Sequence, residues 1–237
     1  MFAVFNRDLL AYFRTPVGYV FVAAFLAANG GIFSINTLLE QSGDISSYFT
    51  MIVFVAALLL PFLTMRLFAE ERRTKTDQLI LVSPSTLGGI VFGKFLAAFT
   101  VFFGTVLVGC INFGSLSRFA AEDEPNGAVI FGSVIALLLI GAAFIAIGIF
   151  VSSLTENQLI AALGTIGISV LFLVVGMLNS VIPVAWLKNV LSWVSIFSRF
   201  SGFANGVFDF TAILYYASIC FVFLFLTVRI CEKRRWA

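Results

Sequence analysis

Six stretches of this chain, at about 17–39, 47–67, 88–113, 128–151, 159–179 and 210–228, are apolar across the roughly 20 residues that a helix needs to cross hydrocarbon. That property leaves few folds open. A bilayer offers no water to backbone N–H and C=O groups, so a run of this length and polarity must satisfy them internally, as an α-helix. The expected fold is an all-α membrane protein with six transmembrane helices. Composition agrees: 61% of the 237 residues are hydrophobic and 11% charged, against about 25% charged in an ordinary soluble domain. The 29 Phe residues suit a surface whose solvent is lipid.

Before the first span, Phe2, Phe5, Leu9, Tyr12 and Phe13 recur at helical spacing, with Asn6, Arg7, Asp8 and Arg14 mainly on the other side. This pattern predicts an N-terminal interfacial helix over residues 1–15. A secretory signal would share the basic start, but the charge-free run from Thr15 to Leu39 passes well beyond the roughly 7–15 residues of a signal core. Pro16 ends the interfacial helix before span one begins.

The basic residues divide unevenly. If both termini and the loops around 66–86 and 152–158 share one side, that side holds all 14 Lys and Arg except Arg118, Lys188 and Arg199. Lys and Arg mark the cytoplasmic face, so both termini are expected in the cytoplasm, beneath the inner membrane of a prokaryote. On the outer side, the loops near 40–48 and 117–127 read as solvated turns. The stretch 180–209 differs, because Pro183, Trp186, Leu187, Val190, Leu191, Val194 and Phe197 recur at helical spacing opposite Lys188, Asn189, Ser192, Ser195 and Arg199. It predicts an outer amphipathic helix before the last span, with Trp186 and Trp193 at headgroup depth. A seventh span is the competing reading, opposed by Lys188, Arg199 and the basic tail after Arg229.

Several chemistries lack the residues they require. His is absent, and Cys110, Cys220 and Cys231 have no metal-ligand or redox spacing. With no acidic pair in the spans, acid–base catalysis has nothing to work with, and neither enzyme activity nor a cofactor or metal site is expected. No Asp, Glu, His or Arg sits mid-span to hold a coupling ion. Lys94, a turn or two from the end of span three, is expected to snorkel to the surface. No GxxxxGK[ST] loop is present to cradle a nucleotide. A net charge of +2 says little about partners, and no nucleic acid is expected among them. Polar and small residues within the spans, such as Thr64, Asn112, Gly141 and Gly148, read first as helix packing. Asn29, mid-span beside Gly30 and Gly31, is the best exception. Together with Trp186 it is a candidate for the substrate pathway.

One block breaks the apolar pattern. Met65 to Pro84, reading MRLFAEERRTKTDQLILVSP, holds Arg66, Glu70, Glu71, Arg72, Arg73, Lys75 and Asp77. It reads as the end of span two, then a short helix capped by Thr74 or Thr76, then a return into span three through Ser83 and Pro84. Leu79 to Val82 supply an apolar grip. In a chain this apolar, such a block is either a solvated loop or the place where a soluble partner docks, and docking is the reading adopted.

The same block carries a resemblance. Thr15-Pro16-Val17-Gly18-Tyr19 precedes span one, Met65-Arg66-Leu67-Phe68-Ala69-Glu70-Glu71 leaves span two, Asp77-Gln78-Leu79-Ile80-Leu81-Val82-Ser83-Pro84 enters span three, and Gly93-Lys94-Phe95 follows. These segments are similar to the permease subunits of type-2 ABC transporters, and within them to the gliding-motility-type permeases. The likeness is strongest over residues 1–100 and topological beyond. Where family members have Gly-Thr-Leu-Glu or Gly-Thr-Glu-Glu, this chain has Lys75-Thr76-Asp77-Gln78.

The resemblance implies one transmembrane domain over 1–237, with a coupling helix in the cytoplasmic loop 66–86 and an outer helical element at 180–209. It implies pairing with a second permease, as a homodimer or heterodimer, in membrane lipid. A separate ABC ATPase subunit would bind the ATP, so no cofactor is held here, and gliding-type members are thought to work beside a membrane protein with a large outer domain. Residues expected at the ATPase contact are Arg66, Glu70, Glu71, Arg72, Arg73, Asp77 and Leu79, with Glu156 from the second loop. The expected function is the membrane subunit of an ABC transporter, an exporter, that couples ATP hydrolysis in its partner to substrate movement. A non-transporting scaffold of a cell-surface complex is the alternative, and a membrane-embedded enzyme is a poor third.

Overall fold

The computed structural model describes residues 2–39, 45–76, 86–112, 127–178, 195, 199, 200, 202, 203 and 209–235. Among these residues all regular structure is helical, and six helices are long and apolar enough to cross a membrane. The chain is a multi-pass, all-α membrane protein.

Helix α1 (Phe2–Arg14) ends where proline requires it to. Thr15 is extended, at φ −110° and ψ 153°, the conformation into which a following proline pushes a residue, and Pro16 opens α2 (Pro16–Phe33). A π-helical turn, Ser34–Leu39, continues it. Helix α3 (Ile45–Thr64) contains Pro61, which removes one N–H from the ladder and crowds the preceding turn. The helix breaks one turn later at Met65 and resumes as α4 (Arg66–Arg73), with the Met65 N–H still bonded to the Pro61 carbonyl at 2.9 Å.

Helix α5 (Leu87–Gly109) starts after Thr86, three residues beyond the proline expected to open span three. Helices α6 (Gly127–Leu154), α7 (Gln158–Leu178) and α8 (Phe210–Arg235) complete the described bundle. Asp209 caps α8 by accepting the Thr211 N–H at 2.8 Å. Hydrogen bonds from Thr211 hold its carboxyl below the usual carboxylate range.

Helix α6 is the central element, packed against α3, α5, α7 and α8, and Ala136, Ile140, Phe144 and Ile147 on it are fully buried. Two glycines set how close its neighbours come. A Cβ at Gly141 would overlap the Phe102 ring of α5, and one at Gly148 would overlap the Thr64 hydroxyl of α3. Small residues matter here because lipid is as apolar as the side chains, so helices associate through close packing. Phe102 in turn meets Phe25 of α2 edge to face, 5.8 Å between centroids. Outward, Val20, Leu163 and Phe221 are exposed, which in a bilayer is a lipid-facing surface.

The loops near 40–48, apart from the start of α3, and 117–127, apart from Gly127, lie outside the described residues, as do Asp77, Leu79 and Pro84. So do Trp186, Trp193 and nearly all of 180–209.

Candidate functional site

Most of the charges in the 66–76 segment do not stand in open solvent. They close the end of the bundle that carries α1, α4 and the last turns of α6 and α8, and they are organised around Lys94. This residue lies two turns into α5 and is 1% exposed. An ammonium has three donors, and three acceptors surround it: the Leu67 carbonyl at 2.7 Å, Glu71 Oε1 at 2.8 Å and Asp8 Oδ2 at 3.2 Å. The Phe68 ring centroid is 4.9 Å away. The snorkelling expected of Lys94 is therefore corrected. With α1 and α4 packed over the end of α5, its route outward is closed and carboxylates come to it instead.

Asp8 is corrected in the same way, since it is buried on the α5 side of α1 and not on a solvated face. Phe2 and Phe13 point outward, while Phe5, Leu9 and Tyr12 pack inward. Arg7 bridges Asp8 at 2.8 Å and Glu71 at 2.5 Å. Burial opposes the charge on Arg7, but Asp8 and Glu71 outweigh it and raise its pKa. One turn further, the Tyr12 hydroxyl donates to the Leu63 carbonyl at 2.8 Å, and burial pushes its phenol up.

The break at Met65 creates a second demand, because the first amides of a helix have no partner within it, and α4 has no capping side chain of its own. Ser152, at the end of α6, supplies one. Its Oγ accepts the N–H groups of Phe68 at 3.2 Å and Ala69 at 3.1 Å and donates to the Met65 carbonyl at 3.0 Å. Beside it, Arg72 donates to the Ser153 carbonyl at 3.3 Å and to Glu156 Oε1 at 3.2 Å. Arg72 thus joins the described parts of the two loops that the sequence names as separate docking candidates.

Glu70 accepts two hydrogen bonds from Arg66, at 2.6 and 2.8 Å. The Thr74 and Thr76 hydroxyls donate backward to the carbonyls of Glu70 and Glu71, and Lys75 adopts a left-handed φ of 57°. These features close the C-terminus of α4. A short helix, α4, thus precedes Thr74; the helix that the sequence places after Thr74 or Thr76 lies outside the described residues.

Of the residues expected at an ATPase contact, Arg66, Glu70, Glu71, Arg72 and Glu156 are gathered here. Glu71 faces inward, with Oε2 buried and without a hydrogen-bond partner among the described residues, and Arg73 is exposed. Sequence reasoning missed Arg7, Asp8, Lys94 and Ser152. The signal was there for two of them: a lysine inside a span needs a partner, and Asp8 is the only acid in the N-terminal helix. A cavity of about 370 Å³ opens between α1 and α4, lined by Arg7, Thr15, Arg66, Glu70, Thr74 and others. Buried ion pairs join α1, α4 and α5, while Ser152 and Arg72 join α4 to α6.

Farther into the bundle, Asn29 is buried. Its Oδ1 accepts the Tyr48 hydroxyl at 2.8 Å and Asn112 Nδ2 at 3.0 Å, and its Nδ2 lies where a Cβ on Gly109 would have to go. Contacts of this kind are those by which a span amide ties helices together.

Among known proteins, the family model described as ABC-2 family transporter protein matches residues 23–231. No curated protein matches the chain.

Proposed function

The chain belongs to the ABC-2 family of transporter proteins, and from that premise we propose that it is the permease subunit through which a separate ATPase drives export. Family members are membrane subunits, and the family implies an ATPase partner and a membrane dimer. ATP would be bound by that partner, in keeping with the absence of a phosphate-cradling loop in this sequence. The likeness of Met65–Glu71 and Asp77–Pro84 to gliding-motility-type permeases supports that subfamily, with a homodimer or a heterodimer and a companion carrying a large outer domain as the assembly. The basic asymmetry supports a cytoplasmic position for both termini and the charged end, in a prokaryotic inner membrane.

The observation that carries the reading is the joining of the two loops by Arg72, on a surface tied through Lys94 and Ser152 to the spans. An ATPase that grips this surface moves α4, and α4 cannot move without α5 and α6. Arg73 and the half-paired Glu156 lie at its rim and make the contact; Asp77 and Leu79, which the resemblance assigns to the same contact, lie outside the described residues. Arg66 and Glu70 shape it, and Glu71 acts from within. The outer element 180–209, with Trp186, would cover the far mouth of the pathway.

Affinity purification from native membranes should recover an ABC ATPase with the chain. Arg73→Glu combined with Glu156→Lys should cut coupled ATP hydrolysis at least about tenfold, since a charge pair at a water-excluded contact is worth roughly 2–5 kcal/mol. Full activity in that variant would place the contact elsewhere. After removal of the native cysteines, single cysteines at Ser42, Asn126 and Lys188 should react with an impermeant reagent in intact cells, and those at Thr74 and Asn157 should not. Labelling at Thr74 would reverse the orientation.

A further inference from the structure

The charge-lined cavity between α1 and α4 has an apolar neighbour. A second cavity, also about 370 Å³, lies between α2 and α3 and is lined by Pro16, Val20, Ala24, Leu59, Phe62 and Met65, with almost no polar surface. The two abut, because Thr15 and Arg66 line the first while Pro16 and Met65, their chain neighbours, line the second. Val20 and Phe62 are exposed, so the groove opens sideways into the bilayer. A chamber lined by charged side chains at the end of a span, continued by a hydrocarbon groove along that span, has the shape of a lipid. We propose that this end of the chain holds one phospholipid of the ethanolamine type, its headgroup between α1 and α4 and one acyl chain between α2 and α3.

The chamber's chemistry selects the headgroup. Arg7 uses Nε and Nη2 on Asp8 and Glu71, and Arg66 uses Nε and Nη2 on Glu70, so each keeps an Nη1 group unbonded among the described residues. Guanidinium donors of this kind suit a phosphodiester. The Thr15 hydroxyl gives its proton to the Ala11 carbonyl, and the Thr74 and Thr76 hydroxyls share theirs between each other and the carbonyls of Glu70 and Glu71, which leaves lone pairs for a headgroup that donates. The lining charges balance, Arg7, Arg66 and Lys94 against Asp8, Glu70 and Glu71. A zwitterion keeps that balance, an anionic headgroup breaks it, and choline has no N–H to offer. The exposed pair Phe13 and Tyr19, edge to face at 6.1 Å, flanks the α1–α2 junction as aromatics do at headgroup depth. An acyl chain moves from one apolar medium to another, so the groove contributes orientation and the headgroup contributes selectivity.

Native mass spectrometry of the full chain in detergent, titrated separately with dioleoyl phosphatidylethanolamine, phosphatidylglycerol and phosphatidylcholine, tests this. The expected result is one retained phosphatidylethanolamine, held about tenfold more tightly than the other two, the discrimination that one charge-assisted hydrogen bond provides. Arg66→Gln should lose about that factor. Ala24→Phe, which fills the groove without touching a charge, should lose it as well and decides the matter even if Arg66→Gln does not fold. Arg229→Gln, in the last turns of α8 and lining neither cavity, should change nothing. Equal retention of the three lipids, a preference for phosphatidylglycerol, or binding indifferent to Ala24→Phe would each overturn the proposal.

Discussion

Replacing Lys94 by Met keeps most of the side chain's volume and removes its charge. The side chains it leaves behind are those of Asp8 and Glu71, 10% and 15% exposed. At separations of 3.2 and 2.8 Å, and with an effective dielectric constant of about 20, each attraction to the ammonium is about 5–6 kcal/mol. Desolvation of the buried ions offsets several kcal/mol of that, so losing this one partner should cost about 3–5 kcal/mol. Arg7 moderates the loss without abolishing it, since it already serves both carboxylates. The cost corresponds to a melting-temperature decrease of about 10 °C in a chain of this size, readable by fluorescence-detected gel filtration after heating. Pairing Lys94→Met with Glu71→Gln should be less damaging than the sum of the single changes by at least about 1 kcal/mol, as coupled neighbours require. A decrease in line with an exposed ion pair, about 0–1 kcal/mol, with no coupling to Glu71, would refute the buried triad and return Lys94 to the membrane surface.

Ser152→Ala strands the amides of Phe68 and Ala69 together and should destabilise by about 2–3 kcal/mol, visible in the same melt, while Ser152→Thr keeps the hydroxyl and should recover part of it. Gly148→Ala forces a methyl against the Thr64 hydroxyl and should cost about 1–3 kcal/mol; adding Thr64→Ala should relieve it, and a strictly additive pair would show that α3 and α6 are not in contact there.

The six spans, the break before Pro16 and the all-helical class could be read directly from residue order. They depend on properties of single segments: enough apolar length to cross hydrocarbon, and a proline whose ring acts on its immediate neighbour. The charged segment after Met65 was also legible as a site, because polarity stands out against so apolar a background. Its internal wiring was not. Asp8 and Lys94 meet across 86 residues of sequence, and Ser152 and Phe68 across 84. No local pattern distinguishes a lysine that snorkels from one that is sealed in by two other helices. That choice rests on whether α1 and α4 bring their acceptors to Lys94, and on the break at Met65, which leaves the first amides of α4 to be capped from α6. Hydropathy thus determined where the helices run. Only tertiary packing decided which charges are buried, because an ion pair in a low-dielectric interior depends on the distance between its partners and not on either residue's place in the chain.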